Sequence, residues 1–278
     1  MSADAPTTQT HTVTSADGTT IAYEKVGTGP ALVLVDGALC YREFGPCRSL
    51  ATHLADRFTV YFYDRRGRGE SGPSDGPGAA PYAPEREYED LAAVIDATGG
   101  DAFVTGFSSG AALALQAAAS GVKMRRLASY EAPYIGLKQV KGVKPDYLGH
   151  LKGLIAKDDR GGAVGYFMVK MVGGPFFLPV MMRLFPKVWK QLKGVAHTLT
   201  NDATVMGSFE VPTALLARIT VPTLVMGGSK AKPNMVAAVN GVADAVPGSV
   251  RKTLAGQTHQ VKDEAIAPEL IAFFGEAK

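Results

Sequence analysis

Apolar residues fall along this chain in short blocks of two kinds. Ala31–Val35 and the stretch Val221 to Gly228 are nearly continuous apolar runs, as strands covered on both faces would be. Phe58–Tyr63, Asp101–Thr105, Arg126–Glu131 and Val250–Leu254 read as further strands. Between them lie segments suited to helices. Pro84–Asp96 has proline at its first position and acids in its first turn, Ala111–Ala119 is alanine-rich, and Asn234–Ala245 and Asp263–Phe274 follow later. Near the start, Thr12–Ser15 and Thr20–Lys25 flank Asp17 and Gly18, a turn pair that closes a hairpin. Strands alternating with helices predict an α/β fold with a mainly parallel sheet and right-handed crossovers.

The rhythm breaks between Pro133 and Ile219, where no clear strand occurs. A Lys- and Gly-rich stretch leads into a Met-, Phe- and Leu-rich block from Phe167 to Val188, which predicts a mostly helical insertion. The expected organisation is a disordered tail over residues 1–10, a core over 11–133 and 220–278, and an inserted helical segment over 134–219. No internal repeat is present.

Composition narrows the function more than the fold. With 46% hydrophobic residues in 278, the chain can bury a large core. The net charge of +3 is scattered, and the short basic clusters Arg65–Arg68 and Lys138–Lys144 lack the interleaved aromatics of a nucleic-acid footprint. The first ten residues are polar, without the apolar centre of a secretory signal. No apolar run is long enough to span a bilayer; Phe176–Met182 comes nearest and is interrupted by proline. Cys40 and Cys47 offer neither a disulfide framework nor metal-ligand spacing, and read as packing residues. A reduced, cytoplasmic setting without metal or cofactor is the expectation.

The chemistry is concentrated at Gly106-Phe107-Ser108-Ser109-Gly110, between the strand ending at Thr105 and the alanine-rich helix. Strand, Gly-x-Ser-x-Gly, helix is the setting of a nucleophile elbow, in which a tight turn presents the serine at the sheet edge and at a helix N-terminus. A serine hydroxyl needs a base to take its proton as it attacks. Of the five histidines, His259 lies in the loop directly after the last predicted strand, which opens at the same sheet edge as Ser108. His11, His53, His150 and His197 lie in the tail region, an early helix or the insertion.

From about Thr12 to its C-terminus the chain resembles the α/β-hydrolase superfamily. The likeness rests on Asp36-Gly37, on Tyr63 to Gly72, on the Ser108 elbow and on Gly256 to His259. It implies the α/β-hydrolase fold, with a mostly parallel eight-stranded sheet and a helical cap. It also implies Ser108 as nucleophile, His259 as base, and the backbone N–H groups of Ala38 and Ser109 as an oxyanion hole.

Two departures from the family pattern stand out. Asp36 occupies a position where members commonly carry histidine; it either braces its loop or places a carboxylate beside the site. The acid that orients the histidine usually follows the strand at Val221–Met226, yet Gly228 to Pro233 holds no carboxylate and Ala231 sits near the usual station. Some members carry the acid one strand earlier, which here is Glu131; Asp263 is a second, weaker choice. A histidine without such an acid loses tautomer control. Asp36, Gly37, Phe107, Met168, Phe176 and Met181 are the expected substrate contacts, the methionines and phenylalanines forming an apolar lining.

The expected activity is cofactor-free cleavage of a carboxylic ester, or of a lactone, thioester or amide, of a small hydrophobic substrate through an acyl-enzyme. Lyase or perhydrolase chemistry on the same Ser-His pair and a non-catalytic ligand-binding protein are the alternatives. Serine at the elbow disfavours haloalkane dehalogenase and epoxide hydrolase chemistry, which need a carboxylate there. A monomer and a homodimer are both compatible with the sequence.

Overall fold

The apolar runs occupy the centre of one eight-stranded sheet. Its strands are β1 (His11–Thr14), β2 (Thr20–Val26), β3 (Ala31–Val35), β4 (Thr59–Tyr63), β5 (Ala102–Phe107), β6 (Leu127–Tyr130), β7 (Thr223–Gly228) and β8 (Val250–Leu254). The computed structural model describes residues 9–75 and 81–275. Most of the tail expected over residues 1–10 therefore lies outside the described residues. The spatial order is β1-β2-β4-β3-β5-β6-β7-β8. β1 with β2 and β2 with β4 are antiparallel, and every other pairing is parallel.

Every residue of β5 and β7 is buried, whereas edge strand β8 buries only Leu254. This is the burial expected of central parallel strands sheltered by helices on both faces. Alternate residues of β3 feed two separate cores. Val33 and Val35 join helices α2 (Pro84–Ala97) and α3 (Ser109–Ala119) on one face. Leu32 and Leu34 join α1 (Cys47–Leu54) on the other face, with the C-terminal helix of the chain.

Between β6 and β7 the described residues contain helices and no strand: α4 (Tyr147–Ala156), α5 (Arg160–Tyr166), α6 (Leu178–Met182), α7 (Pro186–Gly194), α8 (Leu199–Met206) and α9 (Thr213–Leu216). A π-helical turn, Phe167–Met171, extends α5. Tyr147, Leu151, Val164, Leu199 and Val205 extend the apolar cluster of α2 and α3, so this helical segment is packed onto that face. α10 (Pro233–Ala245) and α11 (Asp263–Gly275) complete the molecule.

Candidate active site

The site begins where β5 ends. Ser108 stands between Phe107 and the first residue of α3 with φ 53° and ψ −124°, a conformation a residue with a Cβ adopts only under constraint. The constraint comes from backbone packing. A Cβ on Gly106 would meet Gly110 O at 2.4 Å and Ala111 Cα at 2.6 Å; one on Gly110 would meet Asp36 O and Val35 O at 2.4 Å. Only glycine at both positions lets strand, turn and helix approach this closely. Ser108 N donates to Tyr130 O at 3.0 Å, tying the turn to β6.

β6 ends in a similar way. Glu131 has φ 48°, and its N donates to Met226 O of β7 at 3.1 Å. Its side chain is fully buried, with Oε1 accepting from Gly228 N at 2.8 Å. Oε2 lies 2.8 Å from His259 Nδ1, and His259 Nε2 lies 3.1 Å from Ser108 Oγ. With a carboxylate on Nδ1, that nitrogen carries the proton and Nε2 is left to accept from the serine hydroxyl. The loop holding His259 is pinned as well: Tyr130 Oη donates to Thr258 O at 2.5 Å, and Lys230 N donates to Gln257 O at 2.9 Å. Ser108, His259 and Glu131 therefore meet in one hydrogen-bonded chain. Asp263 does not join it; its carboxylate accepts from Ser49 Oγ at 2.5 Å.

A cavity of about 420 Å3 opens over this chain. Ala38 and Ser109 both line it, and neither backbone N–H donates a hydrogen bond among the described residues. Ile135, Tyr147, Phe167, Met171, Leu199 and Met206 make much of the wall apolar. Lys170, Lys230 and Lys232 also line it, and sequence reasoning missed all three.

The expected substrate contacts fare less well. Asp36 is buried away from the cavity rather than facing it. Its Oδ1 has no hydrogen-bond partner among the described residues, and burial, set against a hydrogen bond with Cys47 and the charges of Arg68 and Arg65, pushes its carboxyl up to about 7. The same burial pushes the Cys47 thiol well above its ordinary range. Gly37 packs under Ser108, where an added Cβ would lie 3.0 Å from Ser108 Cβ. Phe107 points into the core beside α1 and α11, because an alternating strand sends its last residue to that face. Met168 packs against the core without lining the cavity. Phe176 and Met181 are exposed on the outside of the helical segment.

Beneath the elbow lies a buried ionic network centred on Asp202 of α8. Ser109 Oγ donates to Asp202 Oδ1 at 2.7 Å, Arg65 reaches the same oxygen at 2.9 Å, and Arg68 binds both oxygens at 2.9 and 2.8 Å. Burial would raise the Asp202 carboxyl, but the charges of Arg68 and Arg65 outweigh it and hold the group below its ordinary range. Arg65 also forms a two-pronged pair with Glu87, and Arg68 donates to Gly37 O at 2.6 Å and Cys40 O at 3.1 Å. The arginines thus brace the Ala38 loop and clamp α8 to the core. Asp202 had one visible signal: it is the sole carboxylate between Asp159 and Glu210.

A family model described as "Alpha/beta hydrolase family" matches residues 29–266. No curated protein shows a significant match to the sequence. Among solved structures, an alpha/beta hydrolase from Sphaerobacter thermophilus DSM 20745 is 50% identical, with a TM-score of 0.85 over 95% of this chain and 100% of that one. A thermophilic esterase from Thermogutta terrifontis is 21% identical, with a TM-score of 0.67 over 96% of this chain and 98% of that one. An enol-lactonase from Burkholderia xenovorans LB400 is 19% identical, with a TM-score of 0.66 over 96% of this chain and 100% of that one. At such identities the last two are alike in fold.

Proposed function

The chain belongs to the alpha/beta hydrolase family, and from that premise we propose that it is a serine hydrolase cleaving a carboxylic ester, or a lactone, thioester or amide, of a small substrate with an apolar acyl group. The observation that carries this reading is the chain Ser108–His259–Glu131, hydrogen-bonded at 3.1 and 2.8 Å beneath a largely apolar cavity.

Ser108 Oγ attacks the acyl carbon while its proton passes to His259 Nε2. Negative charge gathers on the carbonyl oxygen, where the N–H groups of Ala38 and Ser109 receive it. His259 then protonates the leaving group, which departs and leaves an acyl-Ser108. A water gives its proton to His259 and its oxygen to the acyl carbon; Ser108 leaves and recovers its proton. Glu131 keeps accepting from Nδ1 and holds the imidazolium in orientation. Acyl transfer by these groups balances without an external cofactor. The helical segment between β6 and β7 serves as the cap that encloses the acyl group.

A ligand-binding protein with a disabled site drew its support from the missing acid near Ala231. In the hydrolase reading Glu131, 2.8 Å from His259 Nδ1, supplies the carboxylate that the stretch around Ala231 lacks. A fluorophosphonate should label Ser108, and short p-nitrophenyl esters should be turned over. Full turnover retained in Ser108→Ala would sink the assignment.

A further inference from the structure

Two of the apolar residues expected to line the pocket, Phe176 and Met181, stand on the outside of the molecule with apolar neighbours. Phe176, Phe177, Val180, Met181, Leu184 and Phe185 are all exposed, Phe176 by 85% and Leu184 by 75%. They come as pairs four residues apart (176/177, 180/181 and 184/185) across α6 and its flanking turns. Helical hydrogen bonds from Met181 N to Phe177 O and from Leu184 N to Met181 O keep this run coiled. That spacing puts the three pairs on one side, while Leu178, Pro179 and Met182 between them are half-buried. A single exposed apolar residue is ordinary, but a contiguous stripe of this kind marks a surface that something covers.

Charge indicates what covers it. From Arg160 to Asn201 the chain has no Asp or Glu. Lys170, Arg183, Lys187, Lys190 and Lys193 fall in this stretch, and none is in an ion pair among the described residues. Lys187, Lys190 and Lys193 recur every three residues on α7, all exposed, along one face. Asp202, the next carboxylate along the chain, is already committed to Arg65 and Arg68. A second copy docked across a twofold axis would press this cationic surface against itself. An anionic lipid surface meets both demands, the acyl layer taking Phe and Leu and the headgroups taking the lysines.

We propose that this face of the helical segment docks peripherally on an anionic phospholipid bilayer. The stripe adjoins the cavity: Met171, Val172 and Gly173 lie just before it in the chain and line the rim. Lys232 Nζ donates to Val172 O at 2.9 Å and to Gly173 O at 3.5 Å, tying that rim to the loop after β7. A substrate dissolved in the bilayer would meet the cavity mouth where the protein docks. The docking goes beyond the hydrolase reading and does not depend on it.

The test is co-sedimentation of the full chain with phosphatidylcholine vesicles, with and without phosphatidylglycerol. Binding should require phosphatidylglycerol and weaken as salt rises. Phe176→Ser/Leu184→Ser and Lys187→Glu/Lys190→Glu should each bind at least about tenfold more weakly, with thermal unfolding unchanged because the altered side chains are exposed. Ser108→Ala should sediment like the wild type, and the surface variants should still hydrolyse a water-soluble ester, so the two readings fail separately. The docking proposal is overturned by absence of vesicle binding, by equal binding to phosphatidylcholine alone, or by binding that the substitutions leave unchanged. A concentration-dependent dimer that Phe176→Ser abolishes, without vesicle binding, would assign the stripe to self-association instead.

Discussion

Ser108 and Glu131 each stand one residue beyond the register pair Phe107–Tyr130 that closes the β5–β6 ladder, and each turns off its strand with positive φ, 53° and 48°. Two adjacent parallel strands thus release their last side chains at the same edge, and His259 bridges them. Replacing Glu131 by Gln keeps a carbonyl oxygen for Gly228 N but removes the carboxylate beside His259 Nδ1, which on the proposed mechanism orients the ring and stabilises its protonated form. Turnover of a p-nitrophenyl ester should fall about a thousandfold or more in Glu131→Gln, while the melting temperature stays close to wild type. Unchanged turnover would mean that another group orients His259.

Asp202 predicts a stability effect of a different kind. In Asp202→Asn, Arg68 loses its carboxylate partner, Arg65 keeps only Glu87, and both guanidinium groups remain buried. Breaking one side of a buried pair costs about 3–5 kcal/mol. Urea unfolding should show a loss of that order, together with easier proteolysis of the helices between β6 and β7, since α8 is their clamp to the arginines.

Glycine substitutions should separate by what surrounds them. Gly110→Ala drives a Cβ to 2.4 Å from two backbone oxygens that cannot move independently of β3, and should cost about 3 kcal/mol or more. Gly153 lies exposed within α4, with nothing within 4 Å of its missing Cβ. Gly153→Ala should instead stabilise the protein by about 0.5–1 kcal/mol. Thermal melts of the two variants measure the contrast, and equal effects would contradict the packing described for the elbow.

Asp36 sets a pH dependence. Its folded carboxyl is raised to about 7 from an ordinary value of 3.8, so over that interval the folded state holds a proton that the unfolded state has released. The contribution to stability is full below pH 3.8 and is lost as pH rises through 7. Burial is nearly complete, and the shift corresponds to at most about 4 kcal/mol. In Asp36→Asn this loss should vanish, so the wild type weakens relative to the variant between pH 4 and 7. Parallel stability curves for the two proteins over that range would show that Asp36 is ionised in the fold.

Strands such as Ala31–Val35 and the Gly106–Gly110 turn are legible in sequence because local chemistry dictates them. An apolar run must be covered, and a serine between two glycines after a strand has few backbone solutions. Glu131 as partner of His259 was reached through the resemblance, which allows the acid one strand earlier, with Asp263 as the second choice; the end of a strand next to that of Ser108 agreed with it. Asp202 was harder, because its partners Arg65 and Arg68 lie 137 and 134 residues away, and Asp36 was harder because nothing local to it in the sequence says that its carboxyl is buried. Phe176 and Met181, expected to line the cavity, stand outside it for a further reason: apolar character says that a side chain seeks cover, not whether the cover belongs to the same chain.

Because the carboxylate on His259 comes from β6, the stretch from Ser229 to Pro233 has no side chain bonded to the serine–histidine pair. Lys230, Ala231 and Lys232 nevertheless line the cavity. On the proposed reaction, preference among substrates can therefore drift, or be engineered, through this stretch while Ser108, His259 and Glu131 are left untouched.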